Sequence, residues 1–197
     1  MNQPNRCRSA GFTVMELMMA MAIAGILSGL AVANYSSRWG QERLLGASRA
    51  THAWLDEQRR IAMQQGGACK IKIDTTNATL DPTDPTITLP DNSTTSNICA
   101  NRESLLIQES VKNGAQIQLR KSSINSNADA LIFSFRGFSQ IAKANNDWSD
   151  NPQQLELRLS MPGVSRERCI KVVNPLGLIR NGFANTSESS CIYNTSS

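Results

Sequence analysis

A long N-terminal α-helix laid on small antiparallel β-sheets, an α+β fold, is what this sequence calls for. The uncharged run from Leu17 to Ser37 follows a short basic leader. Apolar residues at helical spacing then continue to Gln65. Past Gly66-Gly67 the period changes to two, in short stretches bounded by Gly and Pro.

The chain has 197 residues, room for one ordinary domain and an N-terminal accessory segment. Its 40% hydrophobic and 18% charged content is that of a folding chain rather than a disordered one. The formal charge is +4, and Arg6 and Arg8 lie in the leader, so its removal leaves 18 basic against 16 acidic residues. That balance gives no sign of a general nucleic-acid binder.

The first element is the apolar run. As a helix, its 21 residues span roughly 31 Å, about the thickness of a bilayer core. The preceding Arg6 and Arg8 orient the leader to the cytoplasm and the rest outward. A conventional secretory signal, cut at Ala31-Val32-Ala33, is the competing reading; its apolar region would be unusually long, with Glu16 at its entrance. A carboxylate within a membrane costs roughly 2.5–3.5 kcal/mol and calls for a partner. If the chain is cut after Gly11, the new α-amine of Phe12 lies one helical turn from Glu16 on the same face. It can neutralise that carboxylate in the same subunit or in a neighbour, which makes Glu16 a registry device between subunits.

The basic leader, Gly11-Phe12-Thr13-Val14-Met15-Glu16 and the apolar run together resemble the class III signal of type IV pilins and type II secretion pseudopilins. The resemblance implies cleavage between Gly11 and Phe12 by a prepilin peptidase, N-methylation of Phe12, and a role for Glu16 in assembling a helical fibre. It implies insertion in the bacterial inner membrane with a single pass, the C-terminal domain lying outside the cytoplasm, and then a place in a surface pilus or a periplasmic pseudopilus. The expected partners are other major and minor pilins, the peptidase, the inner-membrane assembly platform and, before assembly, the membrane itself. Many pilins read Ala-Ile-Pro-Asn-Tyr near the end of the run, whereas this chain reads Ala31-Val32-Ala33-Asn34-Tyr35, so a break at the proline is not carried over. Gly25 and Gly29 form a small-xxx-small pair, which permits close helix contact or reflects a Gly/Ala-rich composition.

The second half of the helix is amphipathic. Leu44, Ala47, Ala50, Trp54, Leu55, Ile61 and Ala62 recur near helical spacing, opposite Glu42, Arg43, Arg49, Glu57, Arg59 and Arg60. The organisation expected is a leader at 1–11, a transmembrane and assembly helix at 12–37, its amphipathic continuation at 38–66 and a β-rich domain at 67–197. Strands are expected at Cys69–Asp74, Ala115–Lys121, Leu131–Phe135, Leu155–Met161 and Cys169–Val173, with breaks at Gly137, Pro162-Gly163 and Pro175. The Thr/Asn/Asp/Pro-rich stretch from Asp74 to Arg102 reads as a loop with at most a short strand at Ile87–Leu89. It is either a tolerated insertion or a surface toward another subunit.

Cys7 is in the leader, and Cys69, Cys99, Cys169 and Cys191 lie beyond the apolar run, as two disulfides in an oxidising compartment would require. Three pairings are possible; Cys69–Cys99 with Cys169–Cys191 closes the shorter loops. The order Leu131 to Gly137, then Leu155 to Met161, then Arg168-Cys169-Ile170-Lys171-Val172-Val173-Asn174-Pro175-Leu176-Gly177-Leu178-Ile179-Arg180 resembles the GspH/FimT group of minor pilins and pseudopilins. That resemblance implies a long helix on two small antiparallel sheets and a protein present in few copies near a fibre tip.

No catalytic constellation, phosphate loop or metal spacing is evident, so no enzyme, cofactor or metal is expected. The single histidine, His52, precedes Asp56 by four residues, the spacing of a solvated helix pair. DNA capture is the alternative function. Some FimT-type relatives carry Gly-Arg-x-Arg; here Gly177-Leu178-Ile179-Arg180 lacks the first arginine. Arg158, Arg166, Arg168, Lys171 and Arg180 are the cations available for a patch, diluted by Glu156, Glu167 and Glu188.

Overall fold

The computed structural model describes residues 13–88, 93–107, 117–122, 128–143, 154–185 and 190–193. Arg6, Cys7, Arg8, Gly11, Phe12, Leu89, Ala115 and Glu188 lie outside these residues, as do the side chains of residues 30–37. The chain divides into two compact units, Met1–Trp39 and Gly40–Ser197, and one helix, α1 (Val14–Gln65), contributes to both.

In the first unit, Thr13 caps the helix: its hydroxyl accepts from the Glu16 backbone N–H at 3.3 Å and its carbonyl from the Leu17 N–H at 3.1 Å. The apolar side chains from Val14 to Leu27 are exposed, while Ser28 donates to the Ala24 carbonyl at 2.7 Å and so satisfies its hydroxyl within the helix. The helix passes Ala33 unbroken, as the absence of proline there allows. Among the described residues no helix is long and apolar enough to cross a membrane; the described side chains of the apolar run end at Gly29.

In the second unit, α1 buries Leu44, Ala47, Ser48, Thr51, Leu55, Gln58, Ile61 and Ala62, a stripe at spacings of three and four. Ala50, expected on this face, is exposed. Its place inside is taken by Thr51, whose hydroxyl donates to the Ala47 carbonyl at 2.8 Å and is thereby satisfied in the core. On such a stripe, burial rather than propensity holds the helix, at about 25 cal/mol per Å² of apolar surface.

Two five-stranded sheets close on this stripe. Strands are β1 (Cys69–Asp74), β2 (Thr79–Asp81), β3 (Thr86–Thr88), β4 (Thr94–Ser96), β5 (Leu105–Leu106), β6 (Gln118–Lys121), β7 (Ala128–Phe133), β8 (Ser139–Lys143), β9 (Gln154–Ser160), β10 (Arg166–Val173), β11 (Leu178–Asn185) and β12 (Ile192–Tyr193). The first sheet runs β5-β2-β1-β7-β8 and the second β12-β11-β10-β9-β6, every named ladder antiparallel. Alternation decides the faces. Cys69, Ile71, Ile73, Leu131, Phe133 and Ile141 of the first sheet join Leu155, Leu157, Leu159, Ile170 and Val172 of the second in one core with α1. The expected strand to Phe135 stops at Phe133, because Ser134 accepts from Gly137 N–H at 2.8 Å and the chain turns there.

The stretch from Asp74 to Arg102, expected as a loop, carries β2 and the two-stranded ribbon β3-β4. Ile87 of the ribbon is fully buried on Ala130, Ile132 and Ala142, so the segment roofs the outer face of the first sheet with a second small core. Asn97 organises it. The two N–H donors of its Nδ2 are shared among the carbonyls of Lys70 (3.0 Å), Pro82 (2.8 Å) and Asp84 (2.8 Å). Its Oδ1 accepts from the backbone N–H of Lys70 at 3.0 Å and of Cys99 at 3.1 Å. The Lys70 ammonium pairs with Asp84 at 2.6 Å and holds that carboxyl below its ordinary range. A disulfide joins Cys69 to Cys99, with Cα atoms 5.2 Å apart.

Asn97→Ala leaves the buried Pro82 carbonyl and Cys99 N–H without this partner, at about 1–3 kcal/mol each, and three part-buried groups besides, so we expect a loss of about 3 kcal/mol. Denaturant unfolding of the oxidised full chain measures it; a loss below about 1 kcal/mol would mean that Asn97 does not organise the segment.

Candidate functional site

Two regions hold the residues the sequence singles out: the start of α1 and the β10–β11 hairpin with its surroundings. At the start of α1, Thr13 and Glu16 stand at N-cap and N3, the spacing of a capping box. A carboxylate in the first turn gains about 0.3–1 kcal/mol from the helix dipole. That is well short of the roughly 2.5–3.5 kcal/mol a membrane charges for it. Capping and the dipole alone would therefore not offset the cost of this acid if the segment lies in a membrane.

In the hairpin, the turn Asn174–Gly177 carries a cis Asn174–Pro175 bond, and Gly177 N–H donates to the Val173 carbonyl at 2.9 Å. Gly177 has φ +65°, and a Cβ there would lie 2.4 Å from the Gly137 carbonyl oxygen, so only glycine fits. Arg59 of α1 clamps this approach. Its Nε donates to the Gly137 carbonyl at 3.0 Å and its Nη2 to the Leu176 carbonyl at 3.2 Å, tying the β7–β8 turn of one sheet to the β10–β11 turn of the other. Ser139 adds a backbone donation to the Pro175 carbonyl at 2.8 Å and a hydroxyl donation to Asn174 Oδ1 at 2.6 Å. His52, expected beside Asp56, instead sits 3.3 Å by Nε2 from the Ile179 carbonyl of β11; a carbonyl only accepts, so Nε2 carries the proton.

The pleat separates the four cations proposed for DNA. Arg166 and Arg168 share the helix-facing side of β10 with Ile170 and Val172, and the Arg166 guanidinium stands 5.1 Å over the Phe183 ring. Lys171 and its cross-strand partner Arg180 lie on the opposite face with Leu178, the Lys171 ammonium 5.1 Å from the Tyr193 ring centre. Arg158, the fifth candidate, is held by Glu156 at 3.0 Å and lies 3.9 Å from Glu167. The sheet thus does not gather these side chains into one patch.

On the outer face the second disulfide joins Cys169 to Cys191, their Cα atoms 6.3 Å apart, and carries the chain to β12. Tyr193 then donates its hydroxyl to buried Glu156 at 2.6 Å. Burial, then the hydrogen bond to Glu156, pushes the Tyr193 phenol well above its ordinary value. Arg59, Asn97 and the Tyr193–Glu156 pair have no sequence motif; the only hint to the last is that Tyr193 follows a paired cysteine by two residues. Among the described residues no cluster of His, Cys, Asp and Glu could hold a metal.

Comparison with known proteins places the prokaryotic N-terminal methylation motif on residues 6–32. No curated protein sequence matches the chain. Among solved structures it is similar to the type IV minor pilin FimU of Pseudomonas aeruginosa, at 15% identity and TM-score 0.45, covering 77% of this chain and 94% of that one. It is also similar to the minor pseudopilin EpsH of the Vibrio cholerae type 2 secretion system, at 12% identity and TM-score 0.42, covering 72% and 95%.

Tyr193→Phe removes a hydrogen bond to a buried carboxylate, and we expect it to lower stability by about 1.5–3 kcal/mol at neutral pH. Because the folded phenol titrates above the unfolded one, near 10, wild-type stability is fully present below that pH and falls as pH rises beyond it. The variant lacks that fall. Unfolding curves of both proteins between pH 8 and about 11 check this; parallel pH profiles would contradict it. The chain thus joins an N-terminal methylation signal over residues 6–32 to a helix packed on two antiparallel sheets.

Proposed function

We propose that this chain is a minor pilin, a structural rather than catalytic subunit that enters a type IV pilus or a related filament and primes its assembly or sits at its tip. The observation that supports the reading is the methylation motif on residues 6–32, which runs into the head of α1 while the same helix supplies the core stripe of the folded domain. Prepilin peptidase cuts between Gly11 and Phe12, and residues 12–37 lie in the inner membrane until assembly. The domain from 38 onward lies outside the cytoplasm, where the disulfides Cys69–Cys99 and Cys169–Cys191 form. Major and other minor pilins and the assembly platform are the partners. In the filament, Glu16 meets the amine of Phe12 from its own or a neighbouring subunit.

A type II secretion pseudopilus is the nearest related setting, since it uses the same helix and signal. DNA capture is the weaker reading, because Arg166 and Arg168 face away from Lys171 and Arg180 and Leu178 stands at the position of the missing arginine.

Full-length wild type and Glu16→Ala, expressed in a filament-forming host, separate assembly from processing. We expect both to be cleaved and retained in the membrane, and the variant to fall about ten-fold or more in the sheared filament fraction, as loss of a buried charge partner worth at least about 1.4 kcal/mol requires. Equal incorporation of the two proteins would overturn the role of Glu16.

A further inference from the structure

The pleat that divides the cations also sorts charge by sign. Glu167 of β10 points to the outer face, toward Arg158, whereas its neighbours Arg166 and Arg168 point to the helix-facing side. There a cleft of about 240 Å³ opens between α1 and the β10–β11 edge. Ser48 and Arg49 line it from the helix, and Arg168, Asn181 and Phe183 from the strands; no acid is among its lining residues. Arg166 covers the Phe183 ring beside it.

The arginines at this edge are close enough to oppose one another. Burial first, then repulsion from Arg166, lowers the Arg168 guanidinium's affinity for its proton; Glu42 acts against this and Arg49 adds to it. Among the described residues Glu42 acts on Arg168 against two arginines, Arg166 and Arg49. Among the described residues the salt bridges engage Arg60, Lys70 and Arg158, and none engages Arg49, Arg166 or Arg168.

Size and donor chemistry narrow the occupant. The cleft is smaller than the roughly 300–1,000 Å³ of small-molecule pockets, yet far larger than the ~30 Å³ share of a water molecule. It has room for one polyatomic anion. A planar carboxylate is served by a single guanidinium fork. Two forks with a hydroxyl and a side-chain amide offer donors from several directions, as a tetrahedral oxyanion demands.

We propose that this cleft is an oxyanion site that takes a phosphate group between Arg49 and Arg168, with Ser48 and Asn181 as neutral donors. The group comes from free phosphate or from a phosphodiester, and the two sources are separable by experiment.

The test is amide NMR of the ¹⁵N-labelled full chain in a non-ionic detergent, titrated with sodium phosphate against sodium chloride at matched ionic strength. We expect saturable shifts at Asn181, Gly182 and Phe183 with phosphate alone. Arg49→Gln and Arg168→Gln should each weaken binding about ten-fold or more, the scale of one lost charge-assisted hydrogen bond. Arg180→Gln, on the opposite face, should leave it unchanged. Arg49 is exposed, so its variant carries the test even if Arg168→Gln perturbs folding. A short DNA duplex that shifts the same amides with the same arginine dependence identifies a phosphodiester source; a duplex that leaves them unmoved identifies free phosphate. Shifts that are equal in chloride, or that depend on Arg180 as strongly as on Arg49, would overturn the proposal.

Discussion

Everything in the folded domain depends on one stripe of helix α1. Leu44, Ala47, Thr51, Leu55, Gln58 and Ala62 recur at intervals of three and four, and both sheets bury their inner faces against that line. Thr51 is admitted to this line because the helix satisfies it, its hydroxyl donating to the Ala47 carbonyl. A helix that is the spine of a domain cannot be exchanged or released without unfolding it, which suits a subunit held by its N-terminal half.

The edges of the arrangement are fixed by polar contacts rather than by more apolar area. Arg59 reaches from the helix to the turns of both sheets, and Gly177 lets those turns approach within the space of a missing Cβ, while Gly137 leaves room for Met63 and Arg59 of the helix. Asn97 knits the Asp74–Arg102 segment to β1 beside the Cys69–Cys99 bridge. The Cys169–Cys191 bridge and the Tyr193–Glu156 hydrogen bond bring the C-terminal strand onto β11. The pleat of β10 gives its alternating charges distinct surroundings: Arg166 and Arg168 toward the helix, Lys171 and its cross-strand partner Arg180 away from it.

Periodicity made much of this visible in the sequence. The apolar run, the stripe from Leu44 to Ala62 and strands β1, β9 and β10 follow directly from spacing, because burial on one face imposes it. β11 was hidden, since Leu178-Ile179-Arg180-Asn181-Gly182-Phe183 has neither alternation nor β-branched density; its neighbours in the sheet recruit it. The ribbon around Ile87 was legible only as a short strand within an expected loop, because its order comes from the side chain of Asn97, which binds the Lys70 carbonyl of β1 27 residues away. At the candidate site, spacing marks Thr13 and Glu16 at the helix start. It does not mark Arg59 or the Tyr193–Glu156 pair, which are contacts between segments distant in sequence.

The functional reading turns on an energy difference at the helix start. If the apolar run lies in a membrane, the helix dipole offsets about 1 kcal/mol at most of the roughly 2.5–3.5 kcal/mol that Glu16 costs there, so on the proposed reading the acid has a cationic partner. On that reading the new α-amine of Phe12 is the cation, and it exists only after cleavage. Mass spectrometry of the N-terminal peptide from the mature protein tests this most directly. The account predicts a chain that begins at N-methylated Phe12; a chain that begins at Asn34, or that keeps its leader, would contradict it.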